Sequence, residues 1–374
     1  MERKFNKEFF LIIISYIFII ATNNFYNFEE SLIYGGNDGK FYKLISEYAP
    51  SFGNNIEYIK GERFLLPYLI GVLSKLTFLD VYLLYQIVTI FFVIVIIFLY
   101  KKILEFLKLD YFSYYISLLL LIFNPYLIRY YIAVPTIIVD LGFIISLELI
   151  CLGFLTKNKN YFYYGLILSV ISRQNAFIIL VIFFVVKFFF KKKSIFSTKD
   201  IIISIISFIC IFSLNTFYAT NSMGDTTEVG NLYITTLVGI FIIDYTLNDL
   251  FKYLLFPLIG FGPLIVYSIL LFYRTRNIKI IMNEFLVFLF LTAVILIGIA
   301  FVGGPTTTGK NLIRLSNFAY IYLVVLINLI FSNYSKFEKS ETKFLFLFII
   351  FFLWSLHPTF SKIEIWGYLK NFFN

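Results

Sequence analysis

A polytopic all-α bundle of membrane-spanning helices is the fold class this sequence predicts. Three observations carry that expectation. Hydrophobic residues make up 60% of the 374 positions and charged residues only 14%, against roughly 25% charged in an average soluble domain. Apolar runs of near-spanning length recur from one end to the other, each judged against the roughly 20 residues a helix needs to cross a bilayer. The polar residues, finally, collect in a few short stretches, of which 27–63 is the most conspicuous. We therefore expect a single transmembrane domain over 1–374.

Taken in order, the runs predict about eleven crossings: 9–26, 81–100, 111–128, 136–155, 161–173, 176–190, 200–218, 251–273, 281–302, 315–331 and 344–357. Residues 1–26 begin with Arg3, Lys4 and Lys7 and show no small-residue cleavage site, so they read as an uncleaved signal anchor. With the N-terminus inside, 19 of the 31 Lys and Arg residues fall on the cytoplasmic side, the bias expected of such a protein. The net charge of +9 is thus a loop bias and not a nucleic-acid footprint. Phe64–Leu79 is apolar but short and contains Pro67 and Lys75. As a crossing it would invert the basic bias of the next loops, so it reads as an amphipathic helix on the outer leaflet, closing a first external loop of 27–79. Residues 161–190 start and end beside inside lysines and form a helical hairpin, with Ser172-Arg173-Gln174-Asn175 at its tip.

The composition excludes several activities. Cys151 and Cys210 both lie in apolar segments, which leaves no disulfide framework or thiolate metal site. His357 is the only histidine, and neither Gly-x-Ser-x-Gly nor His-Glu-x-x-His occurs, so serine or zinc intramembrane proteolysis has no residues to use.

What remains sits in the external segments. Asp38 lies in Gly35-Gly36-Asn37-Asp38-Gly39, a turn whose glycines leave its carboxylate unhindered. The following Phe41-Tyr42-x-x-Ile45 pattern points one apolar stripe down and holds that carboxylate at the membrane surface. Arg63 opens the surface helix. Asp140 is near the outer end of the fourth span, at a depth comparable to Arg173, and an ion pair between them is expected because a lone intramembrane charge is costly. Glu148 lies about 12 Å deeper at 1.5 Å per residue. The late external loop, 303–314, is rich in glycine and threonine and carries Lys310 and Arg314. Its Gly-x-x-x-x-Gly-Lys spacing lacks the preceding strand of a nucleotide-binding loop, but the two cations suit a lipid-linked phosphate.

This order of features resembles the GT-C superfamily of integral-membrane glycosyltransferases, which includes protein O-mannosyltransferases and aminoarabinose transferases. The residues that carry the resemblance are Asn37-Asp38-Gly39-Lys40-Phe41-Tyr42, Arg63-Phe64-Leu65-Leu66-Pro67-Tyr68, Ile171-Ser172-Arg173-Gln174-Asn175 and Gly309-Lys310-Asn311-Leu312-Ile313-Arg314-Leu315. It implies inverting transfer of a sugar from a polyprenyl-phosphate donor on the extracytoplasmic face of a bacterial plasma membrane. Asp38 would be the base, with Arg63, Asp140, Arg173, Asn175, Lys310 and Arg314 binding substrate. Many members have two adjacent acids where this chain has Asn37-Asp38, so a divalent cation is left open; Glu29, Glu30 or Asp140 would have to supply the second carboxylate. No stretch of these 374 residues reads as the soluble C-terminal domain some members have, so a lipid-linked glycan or small lipid is the expected acceptor. Two other readings use the same features: a surface-polysaccharide polymerase, and a flippase or transporter for lipid-linked oligosaccharides. The transporter should place charges through the middle of many spans.

Overall fold

In the computed structural model, residues 2–26, 30, 38–174, 176–190, 196–223, 247–274, 283–302, 309–332, 341–357 and 362 are described. Every regular element among them is helical. Five are long and apolar enough to cross a membrane: Val81–Phe106, Tyr111–Ala133, Pro135–Thr156, Thr198–Ser222 and Leu312–Phe331. Six shorter apolar helices accompany them, including Leu65–Thr77, Ala176–Phe189 and Phe344–Ser355.

In chain order, α1 is Glu2–Thr22, α2 Asp38–Tyr48, α3 Tyr58–Gly61, α4 Leu65–Thr77 and α5 Val81–Phe106. The stretch Tyr111–Ala133 is α6 and Ile138–Thr156 is α7. Then come α8 (Lys159–Ser172), α9 (Ala176–Phe189), α10 (Thr198–Ser222), α11 (Leu247–Arg274) and α12 (Glu284–Val302). The last three are α13 (Gly309–Ser316), α14 (Tyr320–Ile327) and α15 (Glu341–Ser355).

Capping sets several starts. Asp80 accepts from the amides of Tyr82 and Leu83 at 2.9 and 3.1 Å, and Asp110 does the same for Phe112 and Ser113. Ser197 and Asp200 form a reciprocal capping box at α10. Such caps satisfy amides that have no intrahelical acceptor. The span expected over 111–128 continues to Ala133, because Asn124 caps a fresh turn, accepting from the Tyr126 amide at 2.9 Å. Pro125, which lacks an N–H, interrupts the ladder there without ending the helix.

The core is built on α6 and α7, whose residues are covered almost throughout, whereas α10 turns most of its apolar side chains outward. Helices α7 and α8 form a tight antiparallel pair. A Cβ placed on Gly153 would meet Phe162 at 2.8 Å, one on Gly165 would meet the Ser146 carbonyl at 2.7 Å, and one on Gly142 the Ser172 hydroxyl at 2.5 Å. Small residues let helix backbones approach in this way. Helix α9 folds back on α8, bringing the rings of Phe162 and Phe183 to 4.6 Å. The stripe expected on α2 is present: Tyr42 and Ile45 are fully buried. Helix α4 rests on α2 so closely that a side chain at Gly71 would collide with the Ser46 backbone. Its outer face leaves Leu69, Leu73 and Leu76 exposed, as an interfacial helix would.

Arg129, buried where α6 is interrupted, ties three elements together. It donates to Ser355 Oγ at 3.0 Å and to Thr22 Oγ1 at 2.9 Å, and its carbonyl accepts from Asn23 at 3.1 Å. No carboxylate pairs with it among the described residues. Its charge instead faces the C-terminal ends of α1 and α15, where the helix dipole is negative.

The packing predicts opposite outcomes for two glycines. Gly153→Ala is expected to lower the unfolding temperature in detergent, because the added carbon meets Phe162 backbone and side chain. Gly298→Ala, where a Cβ would have nothing within 4 Å, is expected to raise stability by about 0.5–1 kcal/mol.

Candidate functional site

The residues singled out in sequence converge where α7 begins and α8 ends. Asp38 is the first residue of α2. Lys60 of α3 pairs directly with its Oδ1, while Arg63 and Arg314 stand 3.9 and 3.7 Å from its Oδ2. Asp140, in the first turn of α7, accepts from Arg173 on Oδ1 at 2.8 Å from both Nε and Nη2. Arg314 of α13 lies 3.6 Å from Oδ2 of Asp140 and so spans the two aspartates. The expected Asp140–Arg173 ion pair is thus present, and it continues through Arg314 into the first-loop segment.

Hydrogen bonds hold this arrangement in place. Gln174, at the tip between α8 and α9, accepts from Arg63 Nε at 2.7 Å and donates to Glu62 at 2.8 Å and to the Ile59 carbonyl at 2.7 Å. Arg63 also donates to the Tyr42 hydroxyl at 3.4 Å. Arg314 donates to Tyr130 at 3.4 Å, and Tyr131 donates to Asp140 at 3.3 Å. The Arg173 guanidinium stacks over Phe318 at 4.6 Å. Four cations therefore meet three carboxylates (Asp38, Glu62 and Asp140) among the described residues, and the side chains of the Asp38, Lys60, Arg63, Arg173, Arg314 and Asp140 pairs are at most 16% exposed.

The electrostatics follow from this crowding. Burial alone would raise the Asp38 carboxyl, but Lys60, Arg314 and Arg63 outweigh it and hold the group well below the usual carboxylate range. Burial pushes the Tyr42 phenol up to about 12. Lys60 is lowered, first by burial and then by Arg63, in spite of Asp38. Arg63 is raised: burial would lower it, but Tyr42 and Asp38 prevail.

Some expected residues are not placed. Asn175 and Glu29 lie outside the described residues, as do 303–308 of the late loop. Lys310 belongs to α13, and its side chain lies outside the description. Glu148 is buried away from the cluster, and neither of its carboxylate oxygens has a hydrogen-bond partner among the described residues. No grouping of three or more His, Cys, Asp or Glu suited to a metal ion occurs among the described residues. Asp38 and Asp140 are bridged here by Arg314. Sequence reasoning missed Lys60, Tyr130 and Tyr131; it took Tyr42 only as part of the apolar stripe and first-loop motif, and Gln174 only as part of the hairpin motif. A signal for Lys60 existed, since it lies one helical turn before Arg63.

Comparison with protein-family models, with curated proteins and with solved structures finds no match to this chain.

Removing Arg173 takes from the buried Asp140 its closest cation and leaves Arg314 at 3.6 Å; breaking a buried ion pair costs about 3–5 kcal/mol. Arg173→Met is therefore expected to lower the unfolding temperature sharply in detergent, and Arg173→Met with Asp140→Leu to recover part of the loss. Asp38 has a second signature. Because its folded-state affinity for protons is depressed, its contribution to stability is complete above about pH 4 and is lost as pH falls below it. Thermal unfolding followed against pH should show an acid limb that is shallower in Asp38→Asn, with no difference in slope between pH 6 and 8.

Proposed function

We propose that this protein is a membrane glycosyltransferase that moves a sugar from a polyprenyl-phosphate donor to a lipid-linked glycan or small lipid. The observation that carries the reading is the meeting of Asp38 and Arg63 of the first-loop segment with Arg314 of the distant α13, in one covered cluster with more cations than carboxylates. Such a cluster suits an anion whose tail lies in apolar surroundings, and guanidinium groups match phosphate oxygens in a fork geometry. In the reaction, the acceptor hydroxyl oxygen forms a bond to the anomeric carbon while its proton passes to Asp38. The bond from the anomeric carbon to the phosphate oxygen breaks, and its electron pair leaves with the lipid phosphate, which Arg63 and Arg314 stabilise. Configuration at that carbon inverts.

We place the cluster on the extracytoplasmic side of a plasma membrane, with the shorter apolar helices completing a bundle of about eleven crossings. The distribution of basic residues supports this sidedness. Lys102, which donates to Tyr161 at 2.6 Å, and Lys159, paired with Asp200 at 2.7 Å, sit at the starting end of α8. That end is opposite Arg173 and lies on the cytoplasmic side by the basic-loop rule.

The test is deletion of the gene, with surface glycans and glycolipids profiled after complementation by wild type or by Asp38→Asn at matched membrane levels. Wild type should restore a missing glycan. Asp38→Asn should leave its rate of formation lower by about 10²–10⁴-fold, the usual contribution of a general base. Full complementation by Asp38→Asn would remove the proposed mechanism, and an unchanged profile on deletion would remove the transferase reading.

A further inference from the structure

Both oxygens of Asp38 are engaged in this structure. Oδ1 is taken by Lys60, and Oδ2 faces Arg63 and Arg314. Three cations around one carboxylate depress its affinity for a proton, so the departure of the nearest of them makes it a stronger base. The three arginines of the cluster are each tied elsewhere. Arg63 is anchored by Gln174 and Tyr42, Arg314 by Asp140 and Tyr130, and Arg173 by two contacts to Asp140 and by the Phe318 ring. For Lys60 the ion pair with Asp38 is its close polar contact. It also sits on the shortest element of the cluster, the four-residue α3. Its charge is a compact ammonium on a flexible stem, whereas guanidinium groups are fixed by their fork geometry.

We propose that Lys60 is the exchangeable cation of the site: it covers Asp38 while the site is empty and moves to the phosphate of the donor lipid when that phosphate is seated. The inference rests on the reading of the ligand as a lipid phosphate. Its consequence is that Asp38 is the stronger base in the presence of donor, so that the carboxylate activates a hydroxyl least when there is no sugar to receive it. The surroundings support the exchange. Lys60 lies beside Arg63, and burial together with that like charge disfavours its ammonium form even with Asp38 in contact. An arriving phosphate relieves both effects, since opposite charge within a few ångströms favours the charged form. The remaining charged and titratable groups around Asp38 are Arg63, Arg314, Asp140, Tyr42 and Tyr130.

A water-soluble carbodiimide reads the contact directly. It couples a carboxylate to an amine only where the two touch, and arginine does not react. On the full chain in detergent micelles, peptide mass analysis should find an amide joining Lys60 to Asp38. A saturating polyprenyl monophosphate is expected to reduce that cross-link at least several-fold, while the corresponding polyprenol, which has the same tail and no phosphate, leaves it intact. In parallel, Lys60→Met should weaken polyprenyl monophosphate binding by about tenfold, the scale of one charge-assisted contact, with Lys60→Arg restoring binding. A cross-link that never forms, survives saturating lipid phosphate or falls equally with polyprenol overturns the assignment, as does unweakened binding by Lys60→Met. The Asp38→Asn complementation result is independent of these outcomes. Loss of the glycan in Asp38→Asn together with an unresponsive cross-link would remove the role of Lys60 and leave the transferase reading standing.

Discussion

Arg314 lies between Asp38 and Asp140, 3.7 Å from one and 3.6 Å from the other, and the rest of the site depends on that bridge. A covered carboxylate is tolerated only when it is paired, because desolvation penalises its charge by several kcal/mol. Asp140 is fully buried and draws in Arg173 from one side and Arg314 from the other. Arg314 then has to face Asp38, which brings the first-loop helix down onto α7. The same demand for compensation that makes each charge costly alone thus specifies where three distant segments meet.

The scaffold around this network achieves its closeness through small residues. Gly142, Gly153 and Gly165 allow α7 and α8 to run nearly in backbone contact, which sets Arg173 at the end of α8 level with Asp140 at the start of α7. Gly71 performs the equivalent service between α4 and α2, holding Tyr42 under the cluster. Arg129 fastens α1 and α15 to α6 through neutral oxygens and helix ends. It is a cation stabilised by dipoles, and it keeps a full charge away from the site without drawing on the acids there.

Chemically, the cluster combines two properties. It has an excess of cations in a covered place, which suits an anionic ligand, and it holds a carboxylate whose proton affinity is suppressed by those same cations. An anion entering such a site competes for the cations and so changes the carboxylate beside it.

Much of this was legible in the sequence, for reasons that can be named. Apolar runs identify helices because a backbone in an apolar setting has to satisfy its own hydrogen bonds. The Phe41-Tyr42-x-x-Ile45 stripe and the amphipathic 65–77 segment follow from the 3.6-residue period, and their buried faces are the ones the period indicates. Asp38, Arg63, Asp140, Arg173 and Arg314 stood out because charges are rare and costly in such a chain. What only the tertiary structure decided is who pairs with whom. Lys60 resembles any loop lysine until Asp38 is found against it. Gln174 is part of a hairpin motif until it spans Arg63 and Glu62, and Tyr130 and Tyr131 carry no signal until Arg314 and Asp140 meet them. The continuation of α6 through Pro125 to Ala133 likewise depended on Asn124, which also donates to Asn317 at 2.9 Å. Local pattern records burial and period; the pairing of charges depends on distances between segments far apart in the chain, and those distances exist only once the helices have packed.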